Sequence, residues 1–332
     1  MIERILAVGV ITLFLSACKD QSTEPATSFY YWKTVFSLSD SEKEALLSNN
    51  VKKIYVRYFD VAMQRGVPAP VSPIAFRELP EGISIIPVVY IKNEVFKKYS
   101  DDDLSKKIVS YVDQISEKHN ITYSEIQVDC DWTLSTKDAY FKFIKAIKRQ
   151  SGKRLSATIR LHQVKYFEKT GIPEVDYGTL MYYNMGKISP DSSNSIYDSK
   201  TAHQYVTTLK IYPLTLNVAL PVFSWGVHVR NKRVTGLLNK MDQNTFINDK
   251  QFEMKSPTTF VVKEDGFKAG RYFRKGDIIR IESVSSENLR EIAKDLKENL
   301  REKTDEIIFF DLDSLNLTRY EKDIFKKTTG AF

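Results

Sequence analysis

Gln127-Val128-Asp129-Cys130-Asp131-Trp132-Thr133 reads as the end of a β-strand that carries chemistry. Period-two alternation sets Gln127, Asp129 and Asp131 on one side and Val128, Cys130 and Trp132 on the other. Two carboxylates and an amide facing inward are not ordinary core filling. An unpaired buried carboxylate is costly, and like charges this close push one pKa upward. Polar groups gathered at a strand end suit a parallel barrel, where the loops that follow the strands converge on one cavity.

Working outward, β-branched and aromatic runs give eight strands: Phe29–Phe36, Lys53–Val61, Ile83–Ile91, Glu125–Trp132, Leu155–His162, Leu180–Asn184, Leu216–Phe223 and Glu306–Asp313. Helical segments alternate with them. Ser39–Ser48 opens with a capping signature, and Ser100–His119 carries Leu104, Ile108, Tyr111, Val112 and Ile115 at helical spacing behind three acidic residues. Thr136–Gln150, Ala202–Leu209 and Ser286–Lys303 complete the set. Alternation at this count predicts an α/β fold, a closed (β/α)8 TIM barrel over 28–332, and the glycine-rich phosphate loop that usually follows the first strand of an open doubly wound sheet is not there. Residues 227–283 are too long for a connection and read as a small β-rich insertion between strands seven and eight.

The other strand ends add polar groups. On the fifth, alternation places Arg160 with His162, followed by Gln163; the second offers Arg57 and Asp60; the sixth offers Tyr183 and Asn184; and Trp225 follows the seventh. Asp60, Asp311 and Asp313 are further carboxylates that end strands. Tyr31, Trp32, Tyr183 and Trp225 add flat aromatic faces at the same strand ends. The plain alternative for Asp129 and Asp131 is a structural ion-pair cluster with Arg57 or Arg160, since such networks also perturb pKa. His162 taken alone reads as a structural histidine, and Cys130 as a small apolar packing residue. The histidines show no metal-ligand spacing, so neither metal nor cofactor is expected.

Asp129-x-Asp131-Trp132 resembles the Asp-x-Asp-x-Glu signature at the end of the fourth strand in family-18 chitinase-type glycoside hydrolases. Met181-Tyr182-Tyr183-Asn184 is similar to that family's Met-x-Tyr-Asp, Leu220-Pro221-Val222-Phe223-Ser224-Trp225-Gly226 to its Pro-Phe-Tyr-Gly, and the 227–283 insertion falls where many members carry one. The resemblance implies a carbohydrate-active barrel with an oligosaccharide ligand. It departs at Thr133, which stands where the family's acid Glu would be, and a hydroxyl supplies no proton-donating pKa. Two readings therefore stay open. One is a hydrolase in which Asp129, Asp131 and Asp311 provide the acid and base, with Gln127, Arg57, Asp60, Arg160, His162, Gln163, Tyr183, Asn184 and Trp225 holding substrate. The other is a non-catalytic, lectin-like barrel that captures glycan.

The first residues bear on location. Arg4 precedes the apolar run Ile5–Leu15, eleven residues against about twenty for a spanning helix, and small residues follow, as in a signal peptide over 1–17. Leu15-Ser16-Ala17-Cys18 resembles the lipobox of bacterial lipoproteins. Cys18 is then the lipidated residue, 18–27 a polar tether, and the protein a cell-envelope lipoprotein of the outer membrane. With Cys18 acylated, Cys130 is the one cysteine left, so no intramolecular disulfide is expected. The formal charge of +7 comes with no nucleic-acid motif, and export argues against that partner, leaving solubility and attraction to headgroups or acidic glycans. A monomer is expected.

Overall fold

The computed structural model describes residues 24–100 and 102–332. The expected signal peptide, Cys18 and most of the tether lie outside the described residues.

Eight strands close on one another: β1 (Ala26–Tyr31), β2 (Lys53–Gln64), β3 (Ser84–Ile91), β4 (Glu125–Asp129), β5 (Arg154–Arg160), β6 (Tyr177–Met181), β7 (Leu216–Pro221) and β8 (Glu306–Phe310). Each is parallel to its neighbours, and β1 joins both β2, through Phe29↔Ile54, and β8, through Phe29↔Phe309. This is the predicted (β/α)8 barrel. The strands are nearly continuous runs of buried residues because the barrel interior covers one face and the outer layer the other.

The outer helices form where amphipathic spacing and caps coincide. Asp40–Ser48 starts at a capping box in which the Ser39 hydroxyl accepts from Glu42 N and the Glu42 carboxylate accepts from Ser39 N. Asp102–Lys118 buries Leu104, Ile108, Val112 and Ile115 on one stripe, and Lys137–Ser151 buries Tyr140, Phe143, Ile144 and Ile147. Ser199–Val206 and Ser286–Asn299 follow β6 and precede β8. Between β2 and β3 no helix forms; β2 instead runs on to Gln64 and pairs antiparallel with Val67–Val71.

After β7 the chain builds a second, antiparallel sheet in the order Arg233–Asn239, Ser224–Arg230, Ile278–Ser283, Thr259–Val262, Phe252–Ser256. It has its own apolar cluster, centred on Phe246, Phe252, Phe260, Phe273 and Ile279. Its first strand starts immediately after β7, so Ser224 and Trp225 sit where the two sheets meet.

The strands stop earlier at their C-terminal ends than alternation predicts. β4 ends at Asp129, β5 at Arg160 and β6 at Met181. Asp131, His162, Tyr183 and Asn184 therefore lie past the pleat, where period two no longer decides their direction.

Candidate functional site

A cleft of about 630 Å³ opens at the C-terminal mouth of the barrel, within the size range of ligand pockets. Trp32 follows β1, Asp129 ends β4, Arg160 ends β5, Tyr183 and Asn184 follow β6, Trp225 follows β7, and Asp311 follows β8. Side chains distant in sequence thus meet because every strand of a parallel barrel delivers its C-terminal end to the same face.

Asp129 is the deepest charged group. It is 3 % exposed, and its Oδ1 accepts the Thr158 hydroxyl at 2.6 Å while Arg160 Nη2 stands 3.9 Å away. Burial raises its pKa; Asp131 and Asp60 push the same way, while Arg160 and the Thr158 hydroxyl pull back. Arg160 also donates through Nε to Asp131. Although burial disfavours its charge, the two aspartates hold the guanidinium above its ordinary pKa, so it is a fixed cation. Asp311, at the opposite wall, has its carboxyl raised to about 6 by burial and by Asp313, with Lys240 and Lys33 opposing. Asn316 Nδ2 donates to its Oδ1 at 2.7 Å. Asp313 pairs with Lys240 at 2.7 Å and with Lys33 at 3.5 Å.

The remaining wall is aromatic. Phe310 packs against Trp32, Tyr183 and Phe223 with centroids 5.3, 5.5 and 5.8 Å apart, and Phe223 meets Trp225 at 5.2 Å. The Trp225 indole N–H donates to Glu282 Oε2 at 2.9 Å. Glu282 is buried, receives Arg280 Nη2 and the Ser195 hydroxyl, and accepts Ser195 N at 3.0 Å. The insertion thereby aims Trp225 and pins the loop after β6. Asn184 adopts φ 55°, a left-handed conformation that Asn tolerates, and its N donates to Ile196 O at 2.9 Å.

Of the residues singled out in the sequence, Asp129, Arg160, Tyr183, Asn184, Trp225 and Asp311 line the cleft, and Asp131 joins through Arg160 at its rim, with its side chain 49 % exposed. Others are placed elsewhere. Gln127 is fully buried one layer below: its Oε1 accepts from Tyr30 at 2.5 Å and its Nε2 donates to Ser156 and Thr179 at 3.2 and 3.0 Å. With both ends of the amide engaged, it serves the barrel interior. Arg57 and Asp60 satisfy each other through two hydrogen bonds of 2.6 and 2.7 Å, behind Trp32; a bulge in β2 between Arg57 and Phe59 turns them together. His162 sits exposed on the helical turn Leu161–Lys165, and partial burial lowers its pKa. Gln163 is buried and bonds Arg160 N at 2.8 Å and Trp132 O at 3.2 Å, so it positions the strand end without facing the cleft. Tyr31 is buried and donates to Val35 O and Ser37 O.

Thr133 belongs to a hydroxyl cluster with Ser135, Thr136 and Asn93 at the start of the helix Lys137–Ser151 and does not line the cleft. Trp132 stacks on Tyr140 at 4.7 Å in the outer layer. Sequence reasoning missed Tyr90, Phe223, Phe310, Asn239 and Lys240, all at the cleft. Phe223 and Phe310 were legible as residues adjoining Trp225 and Asp311; Asn239 and Lys240 arrive only through the fold of the insertion. Among the described residues no group of three or more His, Cys, Asp or Glu is placed to hold a metal ion, and no helix is long and apolar enough to cross a membrane.

No protein-family profile and no curated sequence matches the chain. Solved structures do. A chitinase-like agglutinin from Robinia pseudoacacia is 12 % identical with a TM-score of 0.54, covering 92 % of this chain and 98 % of its own. A mutant GH18 chitinase from Cycas revoluta, in complex with (GlcNAc)4, is 12 % identical with a TM-score of 0.55 over the same shares. A chitinase from Bacteroides thetaiotaomicron is 10 % identical with a TM-score of 0.52, covering 92 % and 97 %. The chain has the barrel fold of the GH18-type, chitinase-like proteins.

Proposed function

We propose that the C-terminal cleft holds an oligosaccharide and that the protein is a carbohydrate-active, glycoside-hydrolase-like barrel of the cell envelope. The observation that carries this reading is the composition of one open cleft: aromatic faces of Trp32, Tyr183, Phe223, Trp225 and Phe310 beside Asp129, Arg160, Asn184 and Asp311. A sugar presents an apolar C–H face and a rim of hydroxyls. Aromatic rings take the first, and carboxylates, amide and guanidinium bond the second. The neighbouring structures support it at the level of fold: one is named a chitinase-like agglutinin and another a chitinase holding (GlcNAc)4.

Hydrolysis is a second reading with an observation of its own. Thr133 provides no acid, but the Asp311 carboxyl, raised to about 6, is a proton donor inside the same cleft, with Asp129 and Asp131 across from it as oriented carboxylates. Titrating the purified protein with a panel of glycans, while assaying new reducing ends, separates the two. Binding without release supports capture. Release that Asp311→Asn abolishes while binding persists supports hydrolysis, and a panel with no binding at all sinks both.

The envelope location rests on Leu15-Ser16-Ala17-Cys18. Lipidation at Cys18 predicts that the protein partitions with membranes and that Cys18→Ser releases it to the soluble fraction. Membrane association unchanged by that substitution would remove the anchor.

A further inference from the structure

The barrel has a second opening. At its N-terminal end, away from the cleft, a cavity of about 670 Å³ is formed by the first residues of β1 to β5 and by the helix Ile324–Gly330. In most barrels this end serves stability alone. Two features here go beyond that.

The first is charge. Lys52, Lys53, Arg154 and Lys326 line the cavity, against Glu24 and Glu125. Lys53 is committed to the buried Glu306 at 2.7 Å. Lys52, Arg154 and Lys326 are exposed and form no ion pair among the described residues, and the Arg154 guanidinium is held over the Tyr177 ring at 4.7 Å. The second is an open acceptor on the floor. Glu125 is 3 % exposed; its Oε1 takes the Tyr177 hydroxyl and, at 2.8 Å, the Ser156 hydroxyl, while its Oε2 has no hydrogen-bond partner among the described residues. A carboxylate oxygen left open in a polar recess asks for an O–H or N–H donor.

A bare anion satisfies the cations but meets Glu125; a neutral sugar satisfies Glu125 but leaves three cations idle. A molecule with hydroxyls at one end and an anion at the other satisfies both. We propose that the N-terminal cavity is a second ligand site, for a phosphorylated polyol whose hydroxyls donate to Glu125 and whose phosphate oxygens accept from Lys52, Arg154 and Lys326. Phosphate offers enough acceptor oxygens for three separate cations, and Arg and Lys are its usual partners. The same chemistry is found in a free polyol phosphate and in a phosphoglycerol lipid headgroup.

Calorimetric titration of the purified protein with glycerol 1-phosphate, inorganic phosphate and glycerol tests the site, alongside cosedimentation with phosphatidylglycerol and phosphatidylcholine vesicles. Glycerol 1-phosphate should bind at least about tenfold more tightly than inorganic phosphate, and glycerol should not register. Joint Lys52→Ala and Lys326→Ala substitution, on exposed side chains, should weaken binding by about tenfold or more while leaving glycan binding at the other mouth unchanged. Glu125→Gln should erase the preference over inorganic phosphate, and Arg154→Ala gives the cation result again if Glu125→Gln fails to fold. Binding to phosphatidylglycerol vesicles without binding to free glycerol 1-phosphate assigns the site to a headgroup; the converse assigns it to a free metabolite. The proposal is overturned if neither binds, if inorganic phosphate binds equally well, or if removing the lysines leaves affinity as it was.

Discussion

Replacing Asp311 by Asn removes a cleft carboxyl whose pKa lies near working pH. In the folded protein its pKa is raised to about 6 from an ordinary 3.8, first by burial and then by Asp313. The native state therefore binds this proton more tightly than the unfolded chain does, so folding takes up a proton between those two values. Stability contributed by the protonated form is complete below the unfolded pKa and is lost as pH rises through about 6. At about 1.4 kcal/mol per pH unit, the full gap is worth about 3 kcal/mol, and partial solvent contact screens this to about 1–2 kcal/mol. Asn cannot ionise, yet its Oδ1 still accepts the 2.7 Å bond from Asn316. Urea unfolding should then find Asp311→Asn more stable than the parent by about 1–2 kcal/mol at about pH 7.5, and nearly equal to it at about pH 4. An equal shift at both pH values, or a loss at the higher one, would refute the reasoning, because a purely structural effect has no reason to follow this titration. If Asp311 also donates a proton to a glycosidic oxygen, release of reducing ends by the parent protein should fall above about pH 6.

Glu282→Gln removes the charge that receives the Trp225 indole and leaves Arg280 buried and unpaired; a stability loss of about 3–5 kcal/mol, a shifted Trp emission spectrum and weakened glycan binding should appear together, and an unchanged spectrum would detach Trp225 from Glu282. Gln127→Leu strands the Tyr30 and Thr179 hydroxyls inside the barrel, while Ser156 keeps its bond to Glu125, and should cost about 2–4 kcal/mol in denaturant, with glycan affinity of the folded fraction unchanged; an affinity loss would return Gln127 to the site. Asp131→Asn breaks a half-exposed pair with Arg160 and should change stability by less than about 1 kcal/mol while lowering glycan affinity, since Arg160 is then held by Asp129 alone; unchanged affinity would place Asp131 outside the ligand's reach.

The barrel and much of its mouth were legible in the chain because strand propensity, helix caps and apolar periodicity are local properties, and closure follows once eight strands alternate with helices. Asp129, Arg160, Tyr183 and Trp225 were found as polar or aromatic residues where strands end. The residues that fall elsewhere do so for different reasons. Strand alternation pairs His162 with Arg160, but β5 ends at Arg160 and the chain turns into a helix; alternation sets Gln127 on the same side as Asp129, but one pleat repeat deeper, in the packed interior. The Arg57–Asp60 pairing depended on a bulge that no local pattern announces.

What the sequence determined by itself is therefore the list of strands, the helices that cover them, and a residue set rich in strand-end carboxylates. Depth was decided only by the tertiary structure: which side chain lines the opening, which is consumed by a neighbour, and where the insertion delivers Lys240 and the Glu282 that aims Trp225. The reason is that a side chain's alternation along a strand depends on its own pleat, whereas its exposure at a barrel end depends on where all eight strands stop relative to one another.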